Sequence, residues 1–378
     1  MSPPVLVVIT SSCQLYSGTG TTIFDWISFA RDRLDFSVLI DTGDLRNASL
    51  AAQFCHKMGI DLLLSSANVT PGCPDFGVRE VARVIRSRPW RLVECYSWAN
   101  SATNLDVLNS IPDDVPLAFT PIYQPSWTLS GHERFFMLDP VLNQMLRRAN
   151  LIVTLSPNEL DDLQLDESTT SRLVYIPAGV DINVFRQAKT QISRAILSVS
   201  DFRERRKRVD LLFAGFAAAL RHDPDLRLII AGNQSTTVEV PGSIRQHVDA
   251  LGYISIESLV EHYRSAGAFA LLSDYEGFGI PIAEALCCGT PVIIHRQAQL
   301  QRIFAGLPGV RMVENSNSEA VGEAMVTAVA HSANRGDIAV AAAEQFNFEA
   351  TYGRKLDRVI ALCNRSHDEE ADTLANIM

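Results

Sequence analysis

Short apolar runs and amphipathic stretches alternate along almost the whole chain. VLVVIT (5–10), FSVLID (36–41), DLLLSS (61–66), RLVECY (91–96), PLAFTPIY (116–123), LIVTLS (151–156) and RLVYIP (172–177) are short and β-rich. Between them, TIFDWISFARDR (22–33) and GVREVARVIRSR (77–88) are apolar at helical spacing. Strands that are apolar throughout and separated by helices predict a parallel sheet covered on both faces. The pattern then restarts: AILSVS (195–200), a helix to Leu220, LRLIIAG (226–232), a helix to Leu251, GAFALLS (267–273), PVIIH (291–295) and VRMV (310–313). Two successive doubly wound α/β units are expected. Their join falls near PAGVDINVFRQAKTQ (177–191), where Pro, Gly and polar residues cluster. The last helical stretch, FEATYGRKLDRVIALC (348–363), has no strand after it.

Length agrees with this division, since 378 residues exceed what one ordinary core organises. Apolar residues make up 47% and charged residues 20%, the balance of a globular chain. The formal charge of −10 excludes nucleic acid as a partner, because no positive field gathers phosphates. The basic run RVIRSRPWR (83–91) reads as a solvated helix end; contact with an anionic membrane surface is its alternative. Seven cysteines without CxxC spacing suggest neither a disulfide framework nor a zinc site. The opening MSPPVLVVIT lacks a basic segment and its apolar core is too short for a signal peptide. No run is long enough to span a bilayer. A cytoplasmic chain is expected, with contact at the inner face of the membrane left open.

The chemistry concentrates in SDYEGFGIPIAEALCCGTPVII (273–294). An apolar strand runs into two glycines, Pro281 suits a first helical position, and Gly289 with Pro291 stops the helix, predicted over 281–288. The helix N-terminus then lies at the strand's carboxyl end, where open α/β sheets bind ligands and where amides attract a diphosphate. Glu284 stands among apolar residues, and a vicinal diol offers two O–H donors to one such carboxylate. Glu276, at the turn, reaches a different hydroxyl-bearing ring. The competing reading of Glu284 alone is an ion pair with an internal arginine.

EGFGIPIAEALCCGTPVI resembles the E-x7-E signature of family-four retaining glycosyltransferases, the glycosyl transferases group 1. VYIPAGVDINVF (174–185) is similar to that family's interdomain segment, and RRANLIVTLSPNELDDL (147–163) to the stretch closing its first domain. FNFEATYGRKL (346–356) is placed like its terminal helix. The resemblance implies the GT-B fold, two facing Rossmann-like domains with doubly wound parallel sheets. It places an acceptor domain at 1–182, a nucleotide-sugar domain at 183–345, and a terminal helix with a polar tail at 346–378 that returns to the first domain. It implies that Glu276 contacts the donor sugar and Glu284 the ribose. Gly277, Phe278, Gly279 and Ile280 then face sugar and phosphates. Gly18, Thr19 and Gly20, in YSGTGTTIFDW (16–26), resemble the loop that faces the acceptor and phosphates. A UDP-, GDP- or ADP-linked sugar is the implied co-substrate, with a saccharide, lipid-linked or small-molecule acceptor and no metal or other cofactor. The products expected are surface polysaccharides, glycolipids or glycoconjugates.

Two departures stand out. In SVSDFRERRKRVD (198–210), Lys207 falls where the family has a diphosphate-binding Lys, but Asp201 occupies the place of its Arg. Arg203, Arg205 or Arg206 must substitute, with Arg203 the donor-binding choice alongside Lys207. Near PLAFTPIYQPSW (116–127) the family's His is absent, and Tyr123, Gln124, Trp127 and His132 are what the chain offers. Asp223-Pro224-Asp225 reads as a polar turn, not as a metal-binding DxD. A nucleotide-sugar epimerase and a non-catalytic sugar-nucleotide binder are the alternatives within the fold. A nicotinamide dehydrogenase is disfavoured, because SGTGTT lacks the third Gly of its fingerprint.

Overall fold

The structure is a computed structural model that describes residues 2–9, 18–41, 45–65, 81–97, 102–122, 140–157, 159, 163, 167–314, 317–330 and 334–375. Tyr123, Gln124, Trp127 and His132 lie outside the described residues. The chain forms two compact units, Met1–Gly179 with Thr351–Met378, and Val180–Ala350.

The first unit carries seven strands: β1 (Pro4–Ile9), β2 (Asp35–Asp41), β3 (Asp61–Ser65), β4 (Leu92–Ser97), β5 (Leu117–Pro121), β6 (Leu151–Thr154) and β7 (Leu173–Tyr175). They form one sheet in the order β3-β2-β1-β4-β5-β6-β7. Every pairing is parallel, with Val5 opposite both Phe36 and Leu92. Residues 5–9 are all buried, as a strand covered on both faces must be. The helices described are α1 (Gly18–Ala30), α2 (Leu45–Met58), α3 (Ala102–Ser110), α4 (Pro140–Arg148) and the short α5 (Glu167–Thr170).

The second unit repeats the plan with six strands: β8 (Ala195–Val199), β9 (Arg227–Ala231), β10 (Val248–Gly252), β11 (Ala268–Leu271), β12 (Val292–His295) and β13 (Val310–Val313). Their order is β10-β9-β8-β11-β12-β13, again all parallel. The order reverses between β8 and β11, and that switch point opens a crevice at the strands' carboxyl ends. Helices α6 (Val209–His222), α7 (Ile256–Ser265), α8 (Ile280–Cys287), α9 (Ala298–Phe304), α10 (Ser318–Ala330) and α11 (Arg335–Phe346) cover it. Helices α6 and α10 touch backbone to backbone: a Cβ on Gly322 would sit 2.9 Å from the Gly215 carbonyl oxygen.

One expected element is replaced. The helix predicted to run to Leu251 is instead turns, a short 3-10 helix at Arg245–His247, and β10. Pro241 and Gly242 break any helix there, Gln234 takes the left-handed φ of 59°, and the β-branched residues of 236–240 disfavour helix. Helix α7, for which no element was expected, follows it. Its start is set by Ser255, whose side chain accepts from the Ser258 N–H at 3.3 Å.

The terminal helix α12 (Phe348–Ala375) has its residues from Thr351 onward in the first unit. Lys355 is 3% exposed there and forms an ion pair with Glu94 of β4, which is fully buried. Glu94 also accepts from Trp26 Nε1 and from the Tyr96 hydroxyl, both at 2.8 Å. The ammonium lies 4.2 Å from the Trp26 ring centroid and 2.6 Å from the Tyr96 oxygen. A buried pair persists only when its remaining donors and acceptors are satisfied, as these are. Burial draws Lys355 below the usual amine value, and Glu94 acts against that draw. Tyr352 adds a hydroxyl that accepts from the Gly179 N–H at 3.1 Å.

Candidate active site

Two loops meet at the switch point of the second unit. The first follows β8 and carries Asp201 to Arg208; the second follows β11 and carries Ser273 to Gly279. They are stitched by the Asp274 N–H, which donates to the Arg206 carbonyl at 2.7 Å. Arg208 holds the unusual left-handed φ of 49° between the 3-10 turn Arg205–Lys207 and α6. Its guanidinium is fixed on Asp210 and, at 2.9 Å, on Asp274, which offsets that strain. The result aims Lys207 inward.

Lys207 and Glu276, named from the sequence, are brought together: Nζ lies 2.7 Å from Oε1. Arg206 places Nη1 at 3.5 Å from Glu276 Oε2 and 2.9 Å from the Tyr275 carbonyl. Ser273 Oγ donates to Glu276 Oε1 at 2.5 Å. Glu276 is 7% exposed. Burial opposes its ionisation, but the Lys207 and Arg206 cations and the hydrogen bonds from Lys207 and Ser273 outweigh that, and hold it below the usual carboxylate range.

Arg203 does not join this cluster. Its guanidinium grips Asp201 at 3.1 and 2.8 Å and is mostly exposed. Asp201 also accepts from Asn233 at 2.9 Å. The acid at the unexpected position is therefore occupied in capping its own loop. Arg206 is the arginine that reaches Glu276, at 3.5 Å, whereas Arg203 stays on Asp201.

Helix α8 runs from Ile280 to Cys287, one residue earlier at each end than the predicted 281–288. Gly279 is its N-cap with φ 90°, and a Cβ there would meet Ile282 Cδ1 at 2.7 Å. Among the described residues, the backbone N–H groups of Gly277, Phe278 and Gly279 donate to no acceptor. Phe278 turns its ring away into a cluster with Phe304 and Phe346, at 5.8 and 5.7 Å between centroids. Ile280 opens the helix and is partly buried. The free amides at a helix N-terminus suit an anion. Two glutamines fix this loop from the β12 side. Gln297 accepts from the Glu276 N–H at 3.2 Å and donates to the Ser273 carbonyl at 2.6 Å. Gln299 donates to the Gly277 carbonyl at 2.6 Å.

Glu284 is partly buried, and among the described residues no arginine pairs with it. Its Oε2 accepts from the Tyr263 hydroxyl at 2.9 Å. Burial pushes its carboxyl up to about 7, and the Tyr263 hydrogen bond acts in the opposite direction. The arginines nearby are spent on backbone. Arg264 donates to the Arg186 carbonyl at 2.7 Å, and Arg335 to the Ala266 carbonyl at 2.9 Å.

Tyr263, Gln297 and Gln299 are not among the residues the sequence points to, and Arg206 is there only as one of three candidate arginines. Nor does the sequence point to His295, 8% exposed, whose two ring nitrogens make no hydrogen bond and whose Nδ1 lies 3.7 Å from Asp274 Oδ1. Gly18, Thr19 and Gly20 belong to the first unit and form the first turn of α1, not a loop. Thr22 Oγ1 donates to the Gly18 carbonyl at 3.0 Å in that turn. Asp223 of the DPD turn is buried against Arg194, while Asp225 is exposed.

Residues 193–331 match the family model for glycosyl transferases group 1. The match lies within the second unit. Curated relatives include the D-inositol 3-phosphate glycosyltransferase of Nocardiopsis dassonvillei, 26% identical over 227 residues, which are 53% of this chain and 53% of that protein. The mannosylfructose-phosphate synthase of Agrobacterium fabrum is 28% identical over 174 residues, 39% of this chain and 38% of the relative. The chain thus spans about half the length, or less, of the curated relatives it matches. Among solved structures, Anabaena HepE in complex with UDP and glucose superposes with a TM-score of 0.70 at 16% identity, over 98% of this chain and 99% of that one. A glycosyltransferase from Rickettsia africae gives 0.71 at 15%, over 96% and 98%. At these identities the likeness shows the fold. It is GT-B, two Rossmann-like units, as the transferase resemblance implied. No helix among the described residues is long and apolar enough to cross a membrane.

Proposed function

We propose that the chain is a retaining, metal-independent hexosyltransferase, moving a hexose from a nucleotide-diphosphate sugar to an acceptor hydroxyl in the cytoplasm. One observation carries this. Two carboxylates flank the N-terminus of one helix at the sheet's switch point. One of them, Glu276, is ionised and paired with two cations; the other, Glu284, has no cation among the described residues. In this reading the diphosphate lies on the amides of Gly277–Gly279, with Lys207 and Arg206 supplying the positive charge that a metal supplies elsewhere.

Glu276 holds the sugar, and its two cations hold the phosphates beside it. Charge building on the leaving diphosphate meets Lys207 and Arg206 already in place, so little reorganisation is needed at the moment of bond breaking. The acceptor hydroxyl enters from the face the diphosphate leaves, and the diphosphate oxygen takes its proton. Glu284 holds the ribose diol. The acceptor is assigned to the first unit, near Gly18–Gly20. The relatives' names and the UDP and glucose of the Anabaena structure make a UDP-linked hexose the first donor to test, and a phosphorylated polyol or glycolipid the first acceptor class.

The test is to incubate the protein with UDP-, GDP- and ADP-hexoses and an acceptor panel, with and without EDTA, and to read nucleotide release and product anomer by NMR. Release that persists in EDTA, with the donor's anomeric configuration kept, supports the proposal. An absolute Mg²⁺ requirement or an inverted product refutes it. Isomerised donor without transfer identifies an epimerase instead.

A further inference from the structure

Glu284 is the group whose surroundings the proposed reaction leaves unexplained. A carboxylate that grips a diol must be ionised and fixed in plane, yet among the described residues no cation does either for this one. The structure offers a phenol. Tyr263 is fully buried, with ring centroids 6.1 Å from Phe185 and 5.6 Å from Phe269, both edge-on. Its own carbonyl accepts from Thr290 Oγ1 at 2.5 Å, so backbone and ring are both held. Its hydroxyl spends its single proton on Glu284 Oε2 at 2.9 Å. Glu284 Oε1 accepts nothing from any described residue, and Oε2 keeps a second lone pair. Both oxygens are thus oriented and still able to accept.

We propose that Tyr263 is a positioning residue for the nucleotide, holding Glu284 ionised and in plane for the ribose diol. This rests on the reading of Glu284 as the ribose-binding carboxylate. A phenol O–H donated to a carboxylate favours its charged form, whereas burial disfavours it. The other titratable and charged groups around Glu284 do not replace the phenol. Cys287 and Cys288 on α8 are thiols that burial pushes up to about 12, so they are neutral. Arg264 on α7 and Arg335 on α11 are bound to backbone carbonyls.

The experiment is calorimetric binding of UDP, GDP and ADP to the full chain from pH 5.5 to 9, for wild type, E284A and Y263F. Tyr263→Phe keeps the ring in its aromatic contacts and removes only the oxygen. Expected are wild-type binding that weakens below about pH 7, and near-complete loss in E284A. In Y263F, binding should fall by about fivefold at pH 7, with the pH midpoint moved up by about one unit and the gap to wild type closing by pH 9. If Y263F does not fold, difluorotyrosine placed at 263 by amber suppression, a stronger donor, should move the midpoint down. Failure of wild type to bind any of the three, or binding that survives E284A, overturns the ribose reading and this inference with it. Binding lost in E284A but with the same pH midpoint in wild type and the Tyr263 variant overturns this inference alone.

Discussion

Lys355→Met tests what fastens the terminal helix to the first unit. Methionine keeps a long unbranched stem over Trp26 and removes the ammonium. Glu94, fully buried, is then left with two neutral donors, Trp26 Nε1 and the Tyr96 hydroxyl, each at 2.8 Å. Removing one partner of a buried ion pair costs about 3–5 kcal/mol, because the remaining charge is uncompensated. The four tryptophans, Trp26, Trp90, Trp98 and Trp127, all fall within the first unit, so their fluorescence follows its unfolding without contribution from the second. With a urea slope of about 1–3 kcal/mol per molar, the midpoint should drop by roughly 1–5 M. The double variant K355M/E94Q removes the stranded charge and keeps an acceptor for Trp26 and Tyr96, so most of the loss should return. A single variant within about 1 kcal/mol of wild type, or a double variant no better than the single, would refute the reasoning.

Glu284 has a folded pKa of about 7 against its ordinary 4.5, so the folded state holds its proton longer than the unfolded state does. Stability is therefore lost as pH rises from 4.5 through 7, and Glu284→Gln should stabilise the ligand-free protein by about 3 kcal/mol more at pH 8 than at pH 4. Equal shifts in unfolding midpoint at both pH values would contradict this. In donor kinetics, E284A should lower kcat/KM by roughly 10²-fold through loss of about two charge-assisted hydrogen bonds. Arg206→Ala should weaken donor binding by roughly 10–100-fold while Arg203→Ala changes it by less than about threefold; the reverse order would return the phosphate role to Arg203. Cys287 and Cys288 should resist maleimide at pH 8 in the native protein, read by peptide mass mapping, since burial holds both thiols protonated.

The sheet plan was legible because the strands of both units are continuous apolar runs of a length that only buried parallel strands need. So was the helix after β11, where Gly279, Pro281 and Gly289 each act locally. The region between β9 and α7 was not. VEVPGS and VDALG carry no clean period of either kind, and β10 takes its place from pairing with β9, a contact no local pattern encodes. At the site, Glu276 and Lys207 could be named because a spacing marks them. Arg206 could not, because three arginines within four residues are equivalent in sequence until Asp201 captures Arg203 and the Asp274 N–H pins the Arg206 backbone. Tyr263 was hidden for another reason. It meets Glu284 through the packing of α7 against α8, and a buried tyrosine otherwise reads as ordinary core.

The first unit draws on both ends of the chain, and that has a cost during synthesis. Tyr96 and Lys355 are 259 positions apart, so at roughly 5–20 residues per second a ribosome needs about 13–50 s to deliver the lysine after the tyrosine. Through that interval the nascent sheet holds an acid with no counter-ion. The second unit, contiguous from Val180 to Ala350, has everything it needs first. The half made earliest is therefore the half completed last, and a premature stop after Ala350 would release a finished second unit attached to a first unit still waiting for its closing helix.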